Sequence, residues 1–218
     1  MKAIGLFGGT FDPIHFGHLR VALEVEKFAS LSEVRFLPWP THALRSAPAV
    51  GGSLRLDMVR AAVSCHPTFK VDDRAFLREL PVYTYDILAE IRNEHPLLPL
   101  CLISGMDSFL RIDKWHRWRE VLDLVHIVVV HRPGSDLPKV GAVRELLRER
   151  CVESPDLLRA SKQGRICVAP VTPLEISGTA LRESIKAGTD PRFLVPEPVR
   201  RMIVEWSIYG GGDVDPSS

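Results

Sequence analysis

The chain begins with an apolar run, residues 2 to 7, that stops at Gly8-Gly9. Apolar residues at nearly every position, not every second one, mark a strand covered on both faces. Such strands belong to parallel sheets clothed by helices. From Phe16 to Phe28 the pattern changes: Leu19, Ala22, Leu23, Val25 and Phe28 recur at helical spacing, with Arg20, Glu24 and Lys27 between them. A buried strand, a di-glycine turn and an amphipathic helix therefore open the chain, and this unit restricts what can follow.

The alternation continues. Strands are expected at 34–37, 69–71, 98–104, 127–130 and 166–169, and helices at 54–65, 84–94, 140–150, 177–187 and 198–206. This order predicts an α/β fold, a Rossmann-like, doubly wound parallel sheet in a single domain over residues 1–209, with a helical C-terminal part. Residues 210–218 are expected to form a flexible tail. A length of 218 residues suits one such domain. In these sheets ligands sit beyond the carboxyl ends of the strands. Gly8-Gly9, Ser104-Gly105 and Arg132-Pro133-Gly134 each close a strand, so the three turns are expected on one rim. The stretch from Trp39 to Pro48 is too proline-rich for a regular element, and a loop of that length is often functional.

Composition narrows the partners. A formal net charge of +1 gives no global field toward nucleic acid or a lipid surface, so any anion site must be local. A basic, aromatic stripe that would bind nucleic acid is absent. No run of about 18 apolar residues is present, so no membrane span is expected. The N-terminal apolar run is too short for a signal peptide. Cys65, Cys101, Cys151 and Cys167 are widely spaced, and they are expected to be small buried hydrophobes in a reducing, cytoplasmic setting. The sequence leaves the oligomeric state open, a homo-oligomer included.

The first turn carries the chemistry. Gly8 and Gly9 let the backbone turn sharply and approach a ligand. The helix starting near Phe16 would aim N–H groups and partial positive charge at the same place, the makings of a phosphate site. His15 and His18, three apart, can face one ligand together, and Gly17 removes a side chain where a flat base could pack. Two bland readings compete: helix-start histidines with no ligand, or a metal pair, for which no third ligand is obvious. Neither the dinucleotide fingerprint nor the P-loop is present. Ser177 and Thr179 stand at a second helix start, with Arg182 one turn on. They can hold a polyphosphate, or they can be a capped helix with an exposed arginine. Asp107 can accept from ribose hydroxyls or cap the helix after it. Trp115 can be a stacking platform or a core anchor.

The segment Gly8-Gly9-Thr10-Phe11-Asp12-Pro13-Ile14-His15-Phe16-Gly17-His18 resembles the T/H-x-G-H signature of the adenylyltransferase branch of the nucleotidyltransferases. Ile176-Ser177-Gly178-Thr179-Ala180-Leu181-Arg182 is similar to that branch's second motif, I-S-S-T-x-I-R. With Val82-Tyr83-Thr84, Ser104-Gly105-Met106-Asp107-Ser108, Lys114-Trp115 and His131-Arg132-Pro133-Gly134 between them, the order resembles the bacterial nicotinate-nucleotide adenylyltransferases from residue 2 to about 209.

The resemblance implies adenylyl transfer from ATP, accompanied by Mg²⁺, to nicotinate mononucleotide. It implies that Gly8, Gly9, Thr10, Phe11, Gly105, Asp107, Ser177 and Thr179 bind ATP, with His15, His18 and Arg182 acting in the transfer. It implies that His42, Arg45, Thr84, Tyr85, Trp115 and Arg132 bind the mononucleotide, Trp115 stacking on the pyridine ring. The chain departs from the family pattern at Thr41-His42-Ala43, where a base usually follows the histidine; Arg45 would substitute. Val82 replaces a Ser, and Gly178 replaces the second Ser of the later motif, which is expected only to loosen that helix start. The competing functions are transfer to nicotinamide mononucleotide or phosphopantetheine, and non-catalytic nucleotide sensing.

Overall fold

The computed structural model describes residues 2–40, 47–131, 140–172 and 174–210. Its elements run β1 (Ala3–Gly9), α1 (Phe16–Phe28), β2 (Leu31–Pro38), α2 (Gly52–Val63), β3 (Phe69–Val71), α3 (Thr84–Glu94), β4 (Leu100–Gly105), α4 (Met106–Phe109), α5 (Trp118–Val121), β5 (His126–His131), α6 (Ala142–Arg150), β6 (Cys151–Val152), β7 (Ile166–Pro170), α7 (Gly178–Lys186) and α8 (Glu197–Glu205). The strands form one parallel sheet in the order β3-β2-β1-β4-β5-β7-β6.

The winding reverses at β1. The chain first builds outward through β2 and β3, then returns to lay β4 and β5 on the other side. A crevice must therefore open beyond the carboxyl ends of β1 and β4, whose register pairs Phe7 with Ile103.

Successive residues of each strand feed opposite layers. On β5, Val128 and Val130 join the core under α1, α2, α7 and α8, while Ile127 and Val129 join the core under α3 to α6. Because both faces are covered at the centre of the sheet, the strands there, β1, β4, β5 and β7, are mostly buried and apolar, and this is why the pattern was readable. α1 and α3 have the expected bounds. The two-residue β6 and the single-turn α4 and α5 were not expected, since four residues or fewer carry no period. Among the described residues no helix is long and apolar enough to cross a membrane. Cys101 and Cys167 are buried as expected, but Cys65 and Cys151 are exposed. Burial pushes the Cys101 thiol up to about 12 and that of Cys167 to about 11, so both are inert.

His126, wholly buried at the start of β5, uses both ring nitrogens. Nδ1 accepts from the Arg165 N–H at 3.1 Å, and Nε2 lies 3.0 Å from the Ser161 carbonyl, to which it donates. Only the neutral ring meets both needs. Burial, with Arg165 and Arg92 nearby, holds its pKa below the ordinary value. The unfolded chain binds this proton more readily, so His126 contributes stability above pH 6.5 that is lost as pH falls through and below that value. Urea unfolding at pH 7.5 and pH 5.0 is expected to show the loss, and His126→Gln should shrink it. An undiminished pH slope in that variant would refute the assignment.

Candidate active site

The crevice beyond β1 and β4 is a cleft of about 880 Å³. This is the size of a small-molecule site. Residues from both ends of the chain line it, among them Gly8 to Asp12, His15, His18, Thr84, Gly105, Asp107, Trp115, Ser177, Thr179 and Arg182.

On one wall the first turn is packed on itself. A Cβ on Gly9 would come 2.7 Å from the Phe11 ring, one on Gly8 2.7 Å from the Trp39 indole, and one on Gly17 2.9 Å from Nδ1 of His15. The missing side chains thus make room for the protein's own rings, and at Gly17 His15 fills the space expected for a flat base. The Phe11 ring is buried, and its φ of 47° places it in the left-handed region. It meets the His18 ring edge-on, with centroids 5.1 Å apart.

His15 and His18 are stacked, centroids 3.8 Å apart and planes at 26°. Two cations at that separation would repel. Burial lowers the His15 pKa to about 4, so it is neutral at pH 7. The sign is that of His126, and through His15 about 3 kcal/mol of stability is lost as pH falls from 6.5 to 4. The His15 backbone N–H points at Nδ1 of His18 at 3.3 Å. An accepting Nδ1 puts the His18 ring proton on Nε2. Two buried polar atoms beside this wall, Nδ1 of His15 and the Thr10 hydroxyl oxygen, have no hydrogen-bond partner among the described residues. Unpaired buried polar atoms are costly and gather where a ligand completes them. The first N–H groups of α1 are less open than the sequence suggested. That of Phe16 donates to the Leu194 carbonyl, and those of His18 and Leu19 donate to the His15 carbonyl.

α7 closes the same wall. Ser177 caps it, its hydroxyl accepting from the Ala180 N–H at 3.2 Å. Nη1 of Arg182 donates to the Asp12 carbonyl at 2.8 Å, and Nη2 donates to the Thr179 hydroxyl at 3.4 Å. A Cβ on Gly178 would sit 3.1 Å from the Asp12 carbonyl oxygen. Gly178 therefore lets α7 seat tightly on the first turn, which goes beyond the loosening expected of it.

On the other wall, Gly105 is the N-cap of α4 and Asp107 its second residue, exposed at the rim. Tyr83 is the N-cap of α3 and Thr84 its first residue; both line the cleft. The Tyr83 ring stacks on His116 with centroids 4.3 Å apart. Trp115 is half-buried, one part anchored among the residues under α3 to α6 and the rest lining the cleft. Tyr85 is not among the lining residues; its ring lies under Arg117, 3.8 Å from the guanidinium carbon. His42, Arg45 and Arg132 lie outside the described residues.

The cytidylyltransferase-like family matches residues 6–184. A protein of Halorhodospira halophila that carries the name nicotinate-nucleotide adenylyltransferase is 43% identical over 210 residues, 96% of either chain. One of Aeromonas hydrophila with that name is 44% identical over 207 residues, 94% of this chain and 96% of the relative. This chain belongs to the nicotinate-nucleotide adenylyltransferase family.

Solved structures share the fold of this adenylyltransferase at low identity. Plasmodium falciparum nicotinic acid mononucleotide adenylyltransferase, complexed with NaAD, matches with a TM-score of 0.73 and 15% identity over 97% of this chain and 99% of that one. A nicotinate-nucleotide adenylyltransferase structure from Vibrio parahaemolyticus matches with a TM-score of 0.63 and 18% identity over 96% of each chain.

In the cleft and its supports, four residues were not singled out from the sequence. Trp39 and Tyr83 line the cleft. Asp12 is buried, accepting from the Tyr209 hydroxyl at 2.8 Å and from the Ala49 N–H at 2.7 Å, so the turn, the loop after β2 and the end of the chain meet at one carboxylate. A sequence signal existed for Asp12, which lies inside the motif. For Tyr209, beside the glycine-rich tail, there was none.

Proposed function

We propose that this chain transfers the adenylyl group of ATP to nicotinate mononucleotide, forming nicotinate adenine dinucleotide and pyrophosphate in NAD biosynthesis. The observation that carries this reading is the two-walled cleft. The stacked histidines, the capped start of α7 and Arg182 stand on one wall, and Trp115 with Tyr83-Thr84 on the other.

In this reading ATP lies along the first turn, with its β- and γ-phosphates at Ser177, Thr179 and Arg182 and its ribose near Asp107. The mononucleotide lays its pyridine ring on Trp115, with the backbone at Thr84, at the start of α3, receiving its carboxylate and with His42, Arg45 and Arg132 serving its phosphate. That phosphate attacks the α-phosphorus in line, and pyrophosphate leaves. A phosphate nucleophile is already ionised, so no general base is needed. Catalysis is positioning plus charge stabilisation. Nε2–H of His18 donates to an α-phosphate oxygen as charge shifts, with His15 beneath it, and Arg182 neutralises the leaving pyrophosphate. Among the described residues no group of three or more His, Cys, Asp or Glu is placed to hold a metal ion. Mg²⁺ in this reading arrives on ATP, as part of the substrate. The proposed setting is the cytoplasm, where the exposed thiols of Cys65 and Cys151 stay reduced.

Pyrophosphate release from Mg–ATP, measured with nicotinate mononucleotide, nicotinamide mononucleotide and phosphopantetheine in parallel, tests the proposal. The acid is expected to exceed the amide in kcat/KM by about tenfold or more, and phosphopantetheine is expected to give no release. Release with none of the three would favour a nucleotide sensor.

A further inference from the structure

Arg55 lies on the buried stripe of α2, in line with Met58, Val59 and Ala62, and is fully buried. Guanidinium groups buried this deeply are normally paired with a carboxylate. Here every hydrogen bond goes to a backbone carbonyl. Nη1 donates to Thr10 at 2.6 Å and to Trp39 at 2.7 Å, Nη2 donates to Pro40 at 2.7 Å, and Nε donates to Val50 at 3.2 Å. Burial draws its pKa below the ordinary value, while Asp12 and Tyr209 favour the charge.

The four carbonyls have a common logic. Trp39 and Pro40 begin the loop after β2, Val50 ends it, and Thr10 belongs to the turn after β1. One rigid, planar fork therefore ties both ends of that loop to the ATP turn. Thr10, Trp39, Ala47 and Pro48 line the cleft, and Arg55 does not. A second tie runs in parallel, from the Ala49 N–H to the Asp12 carboxylate at 2.7 Å. In-line transfer requires the two reacting groups within about 3 to 3.5 Å, and a misplacement of about 1 Å costs about a hundredfold.

We propose that Arg55 is a positioning residue that fixes the spacing between the loop after β2 and the ATP turn, and so sets the approach of the acceptor phosphate to the α-phosphorus. This rests on the adenylyl-transfer reading. A guanidinium suits the task because its fork holds several carbonyls in fixed directions, which a lysine ammonium cannot do.

The test uses the full chain with Arg55→Lys, Arg55→Met and Ala49→Pro. The last deletes the second tie at an exposed position and leaves Arg55 in place. Initial rates of pyrophosphate release with both substrates varied, ATP binding alone by calorimetry, and Tm are measured for each. Arg55→Lys is expected to bind ATP within about threefold of the parent, yet to raise the acceptor KM and lower kcat by about tenfold each. Arg55→Met should do more, and Ala49→Pro less, in the same direction. A lowered Tm with unchanged kinetics in the folded variants would make Arg55 merely structural and overturn the proposal. Equal loss of ATP binding would also overturn it, by placing Arg55 within the ATP site alone. If Arg55→Lys and Arg55→Met both fail to fold, unchanged acceptor kinetics in Ala49→Pro overturn it. No pyrophosphate release from the parent with any acceptor is a separate outcome; it sinks the transfer reading and takes this role with it.

Discussion

His18→Ala is expected to lower kcat for pyrophosphate release by roughly 10²- to 10³-fold, the usual cost of deleting one donor aimed at developing charge. The His18 ring is half-exposed and is held from three sides. His15 stacks beneath it at 3.8 Å, the Phe11 ring meets it at 5.1 Å, and the His15 N–H engages Nδ1 at 3.3 Å. These contacts leave the proton on Nε2, so the loss is that of a directed donor, not of a buried core group. Folding should change little, because a half-exposed ring leaves a solvent-filled gap and not a closed cavity. His18→Gln places an amide donor near the position of Nε2 and is expected to recover part of the rate, whereas His18→Phe, which keeps the ring packing, should recover none. Parental turnover in folded His18→Ala would sink the assignment, and equal rates for the Gln and Phe variants would sink the donor role.

The fold was legible because both faces of the sheet are covered at its centre, so β1, β4, β5 and β7 carry no polar alternation and the helices carry a clear stripe. The sheet edge was not legible: Cys151–Val152, which pairs with β7, is too short to show a period. The first turn was legible in its residues and only partly in its reasons. Gly8, Gly9 and Gly17 do line the cleft, and a Cβ on each would also meet a ring of the protein, those of Trp39, Phe11 and His15. What the sequence concealed most was support. Asp12 meets Tyr209 across nearly the whole chain, and Arg55 bonds only to carbonyls. Side chain–backbone bonds of this kind leave no pairwise signature in residue types, since any residue can offer a carbonyl. The signal that existed was an arginine in the apolar stripe of a helix, a position that demands partners.

Arg182→Ala should cost about 10³-fold in kcat, because in the proposed reading it removes the cation facing the departing pyrophosphate. Arg182→Lys should recover little. Nη1 is spent on the Asp12 carbonyl and Nη2 on the Thr179 hydroxyl, so the plane of the fork is fixed and the remaining N–H bonds have set directions. An ammonium replaces the charge but not the orientation. Full activity in Arg182→Lys would show that only charge matters and would remove the case for the α7 start as an oriented phosphate clamp. The double variant decides whether the two walls of the motif act on one event. In the proposed reading His18 stabilises the α-phosphate and Arg182 the group leaving it, so both would serve the same transition state. Groups that act as a unit lose far less together than the sum of their single losses. His18→Ala with Arg182→Ala is therefore expected to fall well short of the product of the two single effects. A fully multiplicative loss would mean that the two groups contribute independently to the barrier and not as a coupled unit.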